Sequence, residues 1–136
     1  NPAAIDAALR EIAGMDDMPF VCWTWGMAPP GFVSPMEHDS DHGGESETSR
    51  MMYIRPKLVR TEELVDNPRG QLRVKALAQT RFVRPWHLYV PASAGGETRA
   101  SSANKGRAVI EAEAEGLAEL LAELSQAPYD ERFPYE

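Results

Sequence analysis

The sequence predicts an α+β fold, in which an antiparallel sheet of about four strands packs against a helix from each end of the chain. Two observations support this fold class. Apolar residues recur with helical spacing near both termini, and several segments between them alternate with the period of a strand. A chain of 136 residues is long enough to bury a core without metal or disulfide support. We therefore expect a single domain over residues 1–136.

The first helix is predicted at the N-terminus. Pro2 suits the first position of a helix, and Gly14 can end a helix in the left-handed conformation. Between them, Ile5, Leu9 and Ile12 lie on one helical face. These signals together predict a helix that ends at Gly14.

The predicted sheet comes from the middle of the chain. Its clearest strand is segment 71–83, where apolar residues from Leu72 to Phe82 face one side and basic residues face the other. An edge strand is expected over residues 51–60, because Pro56 cannot donate to a ladder of backbone hydrogen bonds. The other two predicted strands are the aromatic segments 19–26 and 86–90.

Three further segments are expected to lie outside the sheet. Residues 27–50 are rich in proline, glycine and acidic side chains, which predicts one long loop. Residues 61–70 have the composition of a turn or short helix. Residues 127–136 are aromatic and interrupted by proline, which predicts an extended tail lying over the body or on a neighbouring chain.

The most regular stretch is residues 104–126, which predicts a long C-terminal helix. One face carries an apolar stripe of Ile110, Ala114, Leu117, Leu121 and Leu124. A second face carries an acidic ladder of Glu111, Glu115, Glu119 and Glu123. Like charges four residues apart destabilise a helix by about 0.2–0.5 kcal/mol per pair, and only Arg107 offsets this repulsion locally. We therefore expect the acidic ladder to meet cations from elsewhere in the fold or from a partner.

Charge is strongly segregated along the chain. Residues 1–50 contain nine acids and two bases, for a net charge of −7. Residues 51–110 contain four acids and eleven bases, for +7, and residues 111–136 contain eight acids and one base, for −7. Such blocks predict that basic and acidic surfaces meet, within one subunit or between subunits.

Several classes of protein are made less probable by the composition. The single cysteine, Cys22, excludes an intrachain disulfide, and its apolar surroundings favour a small buried side chain over a reactive thiol. No apolar run reaches the roughly 18 residues that span a bilayer, and no signal-peptide pattern is present. The chain starts at Asn1 rather than Met, which suggests that it has been trimmed, processed or cut from a longer sequence. A cytoplasmic origin is favoured over a secreted one.

The clearest cluster of side chains that could bind a metal ion is EHDSDH, residues 37–42. His38 and His42 stand four residues apart with Asp39 and Asp41 between them, and imidazole and carboxylate groups suit zinc or another divalent ion. The adjacent glycines make a helix through both histidines improbable, and no cysteine pair completes a known ligand pattern. A solvated acidic loop is the alternative, and we weigh it above the metal site.

No local pattern predicts catalysis or a bound cofactor. Serine, histidine and carboxylates are all present, but no nucleophile-elbow sequence brings them together. Gly95 and Gly96 lack the spacing of a phosphate-binding loop. The basic segment with Phe82, Trp86 and Tyr89 could contact nucleic acid, but the acidic blocks on both sides oppose that. We expect no catalytic residues and no cofactor.

These observations predict a non-enzymatic module for protein–protein contact, most simply a self-assembling structural subunit of a larger particle. The expected partners are copies of the chain itself or other proteins, with neither nucleic acid nor membrane. The residues expected to make the contact are Glu111, Glu115, Glu119, Glu123, Arg73, Lys75, Arg81, Arg84 and Trp86. A first alternative is a small acidic inhibitor or immunity-type protein that binds a basic partner. A second alternative is the divalent-metal site at His38 and His42.

Overall fold

The computed structural model describes residues 2–15, 20–38, 42–67 and 69–135. Over these ranges the secondary structure is helical. The four α-helices are α1 (Pro2–Ala13), α2 (Glu45–Ile54), α3 (Trp86–Tyr89) and α4 (Ala103–Gln126). Three short 3-10 helices occupy Pro56–Leu58, Thr61–Glu63 and Lys75–Gln79. None of the described helices is long and apolar enough to cross a membrane.

The predicted α+β fold with its antiparallel sheet is wrong. The described part of the chain contains no β-strand, and its one isolated bridge joins Asn67 to Gly96. In that bridge the Asn67 amide donates to the Gly96 carbonyl at 3.0 Å, and the reverse bond is 2.8 Å. Alternation of apolar and polar residues stabilises a strand only when a neighbouring strand pairs with it and one face is buried. In the described ranges no strand pairs with the predicted ones, and segment 71–83 has no buried residue.

The predicted strands take other conformations. Residues 51–54 form the last turn of α2, and the following Pro56 starts a 3-10 helix. In segment 71–83 a 3-10 helix spans Lys75–Gln79 and its side chains are exposed. Segment 86–90 contains the short helix α3. The described residues of 19–26 have no regular secondary structure.

Helices are present at both ends, as the sequence predicts. Helix α1 starts at Pro2 and ends immediately before Gly14. Helix α4 begins after Ser102, whose side-chain oxygen accepts a hydrogen bond from the Lys105 amide at 3.3 Å. This is the usual way a serine satisfies an amide at the start of a helix.

Helix α2 begins within the stretch predicted as a loop and continues into the predicted edge strand. Its first six residues are polar and its four apolar residues are consecutive, so it lacks the apolar stripe that would reveal a helix. Glu45 and Glu47 occupy its first turn, where carboxylates interact favourably with the positive end of the helix dipole. A polar helix that is nevertheless packed against the body requires buried polar contacts.

Helix α4 packs against α2 by close backbone approach. A Cβ atom at Gly106 would overlap the carbonyl oxygen of Ser49 in α2, and one at Gly116 would overlap the carbonyl oxygen of Met27. Between these two glycines, Val109 and Ala112 are buried. The buried face of α4 is therefore made of small residues and is not the predicted apolar stripe.

The C-terminal part of the apolar stripe lines a groove instead. Leu117 and Leu121 are 43% and 57% exposed, and they border a groove of about 410 Å³ together with Phe20 and Trp23. The tail contacts Phe20 of this groove, because the Phe20 amide donates to the Tyr129 hydroxyl at 3.1 Å. The ring of Phe133 also lies edge-on to that of Phe20, with centroids 4.9 Å apart.

Candidate active site

A buried polar cluster lies where the N-terminus of α2 meets the N-terminus of α4. Glu45 and Ser49 of α2 are 1% and 0% exposed, and the nearby Thr98 is 4% exposed. By contrast, the buried apolar side chains among the described residues are Val90, Val109 and Ala112, of which only Val90 is almost fully enclosed. This part of the fold is thus held by polar contacts that must be satisfied.

The Glu45 carboxylate accepts hydrogen bonds from three groups. The Glu37 amide donates to its Oε2 at 3.0 Å, and the His38 amide donates to the same oxygen at 2.9 Å. The ammonium group of Lys105 in α4 donates to Oε1 at 2.6 Å. A buried carboxylate is tolerated when charge and hydrogen bonds compensate it in this way.

Lys105 completes the network. Its Nζ donates to Glu37 Oε1 at 2.5 Å and to the carbonyl oxygen of Ala100 at 2.8 Å, in addition to Glu45. All three donors of the ammonium group are therefore used. Hydrogen bonds from Lys105 to Glu37 and Glu45 raise its pKa above 10.5, although its partial burial opposes the shift.

The same contacts keep Glu45 ionised. Burial would raise the pKa of Glu45, but the hydrogen bond from Lys105 and those from the amides of Glu37 and His38 outweigh it. The pKa of Glu45 consequently lies below 4.5. At neutral pH the pair is a buried carboxylate and a largely enclosed ammonium ion.

Two serines connect the same helix termini. The Ser101 hydroxyl donates to the carbonyl oxygen of Glu45 at 3.2 Å, and the Ser102 amide donates to Ser49 Oγ at 3.1 Å. Together with the Gly106 contact, these bonds fix the start of α2 against the start of α4.

His42 lies just before α2. Its Nδ1 is 4.0 Å from Glu47 Oε2, and the same oxygen accepts a hydrogen bond from the Gly43 amide at 2.8 Å. Gly43 has φ +65°, in the left-handed region that favours glycine, and a Cβ atom there would lie 2.8 Å from that of Ala94. The Gly95 amide anchors the His42 carbonyl oxygen at 2.7 Å.

Aromatic contact also orients the His42 side chain. Its ring lies edge-on to Trp86, with centroids 5.5 Å apart, and Trp86 in turn contacts Tyr89 at 5.7 Å. Trp86 was predicted as a partner-binding residue, and it is 49% exposed. In the structure it supports one of the two candidate histidines.

His38 faces a second carboxylate. Its Nδ1 is 4.0 Å from Glu97 Oε2. The next residue, Thr98, is held by Asp66, whose Oδ1 accepts from the Thr98 amide at 2.8 Å and from the Arg99 amide at 3.0 Å. The hydrogen bond from the Arg99 amide is the main reason why the pKa of Asp66 lies below 3.8.

An open cavity of about 430 Å³ is lined by Glu47 of the His42–Glu47 pair. Glu47 and Gly43 form one side, and the Arg60–Glu63 ion pair, at 3.1 Å, forms part of the other. The remaining lining residues are Thr48, Met51, Leu58, Val59 and Leu64. A cavity of this size, mostly apolar with a few charged groups, suits a small polar molecule.

The described residues do not complete a metal site. His38 and His42 each face a different carboxylate, and no group of three or more histidine, cysteine, aspartate or glutamate side chains converges within the ranges the structure describes. Asp39 and Asp41, the other members of the predicted cluster, lie outside those ranges. Metal binding at His38 and His42 therefore stays a prediction.

The other predicted contact residues are exposed. The acidic ladder is exposed on α4, and within the described ranges only its first member, Glu111, is paired, with Arg107 at 2.8 Å and the Tyr53 hydroxyl at 3.4 Å. The basic residues are also exposed, and in the described ranges no ion pair joins them to the ladder. These residues are Arg73, Lys75, Arg81 and Arg84. Their role in binding a partner remains untested.

The sequence patterns do not identify Glu45 and Lys105, the residues that anchor the site. Glu45 and Lys105 are 60 positions apart, and no periodic pattern links them. Two clues were available: a double glycine after His42, and a lysine followed by glycine at the start of a predicted helix. The second clue permits close helix approach but does not identify the partner.

Comparison with known proteins supplies the family. The sequence model of the creatininase family, described as creatinine amidohydrolase, matches residues 1–121. A protein from Bacteroides fragilis NCTC 9343 assigned as a creatinine amidohydrolase is 31% identical over 67% of this chain and 37% of its own, with a TM-score of 0.58. No curated protein matches the chain significantly.

Two creatininase structures cover more of the chain. A tryptophan-to-phenylalanine mutant of creatininase is 25% identical over 90% of this chain and 50% of its own, with a TM-score of 0.64. A glutamate-to-glutamine mutant complexed with creatine has the same identity and coverage, with a TM-score of 0.63. The chain thus spans about half the length of these structures.

These matches correct the functional prediction. The family is one of amidohydrolases, so the predicted non-enzymatic module, whether an assembly subunit or an acidic inhibitor, is wrong. Charge blocks along a sequence do not show whether charged residues meet a partner or one another, and in the structure Lys105 and Glu45 form a buried pair within the chain. Since the family model covers residues 1–121, the chain belongs to the creatininase family.

Proposed function

We propose that this protein is an amidohydrolase that opens the ring of creatinine or of a similar small cyclic amide. The observation that carries the proposal is the His42–Glu47 pair beside a cavity, in a chain that belongs to the creatininase family. Creatine, which is bound in one of the matched structures, is the product expected when water adds across the ring amide of creatinine.

Amide hydrolysis requires two proton movements. A water molecule must lose a proton as it attacks the carbonyl carbon, and the leaving nitrogen must gain one. Imidazole can do both near neutral pH, and a neighbouring carboxylate can orient it. We assign proton transfer to His42 and orientation to Glu47, whose carboxylate is fixed by the Gly43 amide.

The second pair, His38 and Glu97, can serve the same chemistry. Its 4.0 Å separation equals that of the first pair, and the His38 amide is held by the buried Glu45. We assign this pair to binding the polar edge of the substrate, since both of its side chains are accessible to solvent.

Metals accompany creatininase in two of the matched structures, one described as the manganese form and one as a Zn–Zn type. In this chain the described side chains form only the two separate pairs, which do not make a metal site by themselves. We therefore derive no step through a metal. Residues His38 and His42 remain the candidate ligands from this part of the chain.

The proposal is tested by incubating the purified protein with creatinine and measuring creatine by chromatography. Reactions contain added Mn²⁺ or Zn²⁺ in one arm and a chelator in the other, and a panel of other small lactams is included. We expect turnover of at least one cyclic amide, and a loss of about 100-fold or more in His42→Ala. Absence of turnover with every lactam and metal would overturn the proposal.

Two expectations from the sequence, a cytoplasmic location and association with other protein chains, are retained as proposals. Large exposed apolar side chains support the second one, since Trp25, Val33 and Val83 are 75%, 84% and 94% exposed. Light scattering at low and high salt tests it. A monomer under both conditions would count against association of the chain with itself.

A further inference from the structure

We propose that Glu45 and Lys105 are positioning residues that fix the backbone carrying the two candidate histidines. The structural part of this inference stands on its own contacts, whereas its catalytic consequence rests on the proposed amidohydrolase function. Neither side chain is placed in the reaction itself.

Glu45 lies at the start of α2 but binds the segment that precedes the helix. It is the first residue of α2 and follows His42 by three positions, yet its side chain turns back to the amides of Glu37 and His38. One carboxylate therefore ties the beginning of segment 37–45 to its end. His38 is one of the residues tied by this carboxylate and His42 lies three residues before Glu45, so the closure limits where both histidines can move.

Burying the Glu45–Lys105 ion pair has a free-energy cost. Taking a carboxylate and an ammonium ion out of water costs several kcal/mol per ion, and apolar side chains of the same volume are often equally stable or more so. Glu45 is 1% exposed, and the Lys105 side chain is 17% exposed. A pair that adds little net stability is explained better by the geometry that it imposes.

Lys105 links this segment to the long helix α4. Lys105 lies in the first turn of α4, and its three donors reach Glu37, Glu45 and the carbonyl oxygen of Ala100. The glycine that follows it lets the α4 backbone approach Ser49 closely. Lys105 thereby connects segment 37–45 to the most regular element of the fold.

The contacts of Glu45 distinguish a positioning role from a catalytic one. Glu45 contacts the backbone of His38 and not its ring, and the ring of each histidine faces another carboxylate, Glu97 or Glu47. Removing Glu45 or Lys105 should therefore leave the chemical groups present but misplaced. A displacement of about 1 Å can reduce catalytic rate about 100-fold.

The test uses Glu45→Gln and Lys105→Met, which keep the size of each side chain and remove its charge. Hydrogen exchange is followed at the amides of Glu37 and His38 and at the amides of α4, and kcat and KM are measured for the cyclic amide that the protein hydrolyses. We expect exchange at the two amides to accelerate about tenfold or more while α4 stays protected, and kcat to fall more than KM changes.

Arg107→Ala is the matched control, because it removes an exposed ion pair from the same helix two residues from Lys105. It should change neither the exchange rates nor kcat. If Glu45→Gln fails to fold, Lys105→Met still tests the network, because the two amide bonds to Glu45 remain in place and only their support is weakened.

The outcomes separate this inference from the proposed function. Unchanged exchange at Glu37 and His38 in both variants would overturn the positioning role, whatever the activity. If the variants exchange faster but the wild-type protein hydrolyses no lactam, the positioning role is supported and the amidohydrolase function is rejected. Faster exchange with unchanged kcat in an active enzyme would reject the catalytic consequence.

Discussion

Arg50 of α2 and Glu113 of α4 form an ion pair that crosses the central helix contact, with Nη2 lying 2.7 Å from Oε1. The two side chains are 31% and 23% exposed, so water screens the pair only in part. The Nε atom of Arg50 is buried and has no hydrogen-bond partner in the described structure. Glu113 is therefore the main compensation for a guanidinium group drawn toward the helix interface.

Replacing Glu113 should destabilise the α2–α4 contact. Glu113→Ala leaves Arg50 charged, partly buried and without its carboxylate, which we expect to lower the free energy of unfolding by about 1–3 kcal/mol. Urea denaturation measures the change. Glu115→Ala, at an exposed position of the same helix, is the control and should change stability by less than about 0.5 kcal/mol. Equal effects of the two substitutions would contradict this account.

Gly106 should not tolerate a side chain. In an exposed helix, replacing glycine by alanine stabilises by about 1 kcal/mol. At Gly106 the added methyl group would overlap the carbonyl oxygen of Ser49, which is backbone and cannot rotate away. We expect Gly106→Ala to lower the free energy of unfolding by about 2 kcal/mol or more, or to prevent folding.

The control for that substitution is Gly14→Ala. The nearest atom to a Cβ at Gly14 would be the Glu11 carbonyl oxygen at 3.6 Å, an ordinary contact distance. Thermal unfolding of both variants compares them directly. A Gly106→Ala protein as stable as the Gly14→Ala protein would show that the two helices are not in backbone contact in solution.

The buried pair gives stability a defined pH dependence. The folded-state pKa of Glu45 lies below 4.5, so its contribution is present above pH 4.5 and is lost as pH falls through the folded-state pKa. The pKa of Lys105 lies above 10.5, so its contribution is present below pH 10.5 and is lost as pH rises through the higher value.

Urea unfolding across both pH ranges tests this dependence. We expect the wild type to lose stability on the acid side below about pH 4.5, and Glu45→Gln to lose less over the same interval. Lys105→Met should correspondingly flatten the alkaline side. Parallel acid-side curves for wild type and Glu45→Gln would mean that this carboxylate is not held ionised by its neighbours.

The sequence and the structure agree where local signals are sufficient. Helices α1 and α4 could be predicted because Pro2, Gly14 and the regular spacing of residues 104–126 specify them locally. Segment 71–83 misled the prediction, because its alternation would form a strand only beside a partner strand. Whether such a partner exists is a property of the whole fold and not of the segment.

The residues of the candidate site could likewise be predicted only where local sequence signals exist. His38 and His42 could be identified from their spacing alone. Their supporting residues could not, because Lys105 reaches Glu45 from 60 positions away. Helix α2 was missed for a related reason: it buries Glu45 and Ser49 instead of apolar residues, so hydrophobic periodicity does not reveal it.

The acidic ladder of α4 provides a test of whether its cations come from outside the chain. In the described structure Glu115, Glu119 and Glu123 are exposed and have no basic partner. Glu119→Lys replaces two repulsive pairs with two attractive ones, each worth about 0.2–0.5 kcal/mol. We expect the free energy of unfolding to rise by about 1 kcal/mol at low salt, and by less at high salt, because the ion pairs are screened. Thermal unfolding at two salt concentrations measures this. If Glu119→Lys instead destabilises the protein at low salt, the ladder must already be paired with cations of another molecule, and association through α4 would gain its first direct support.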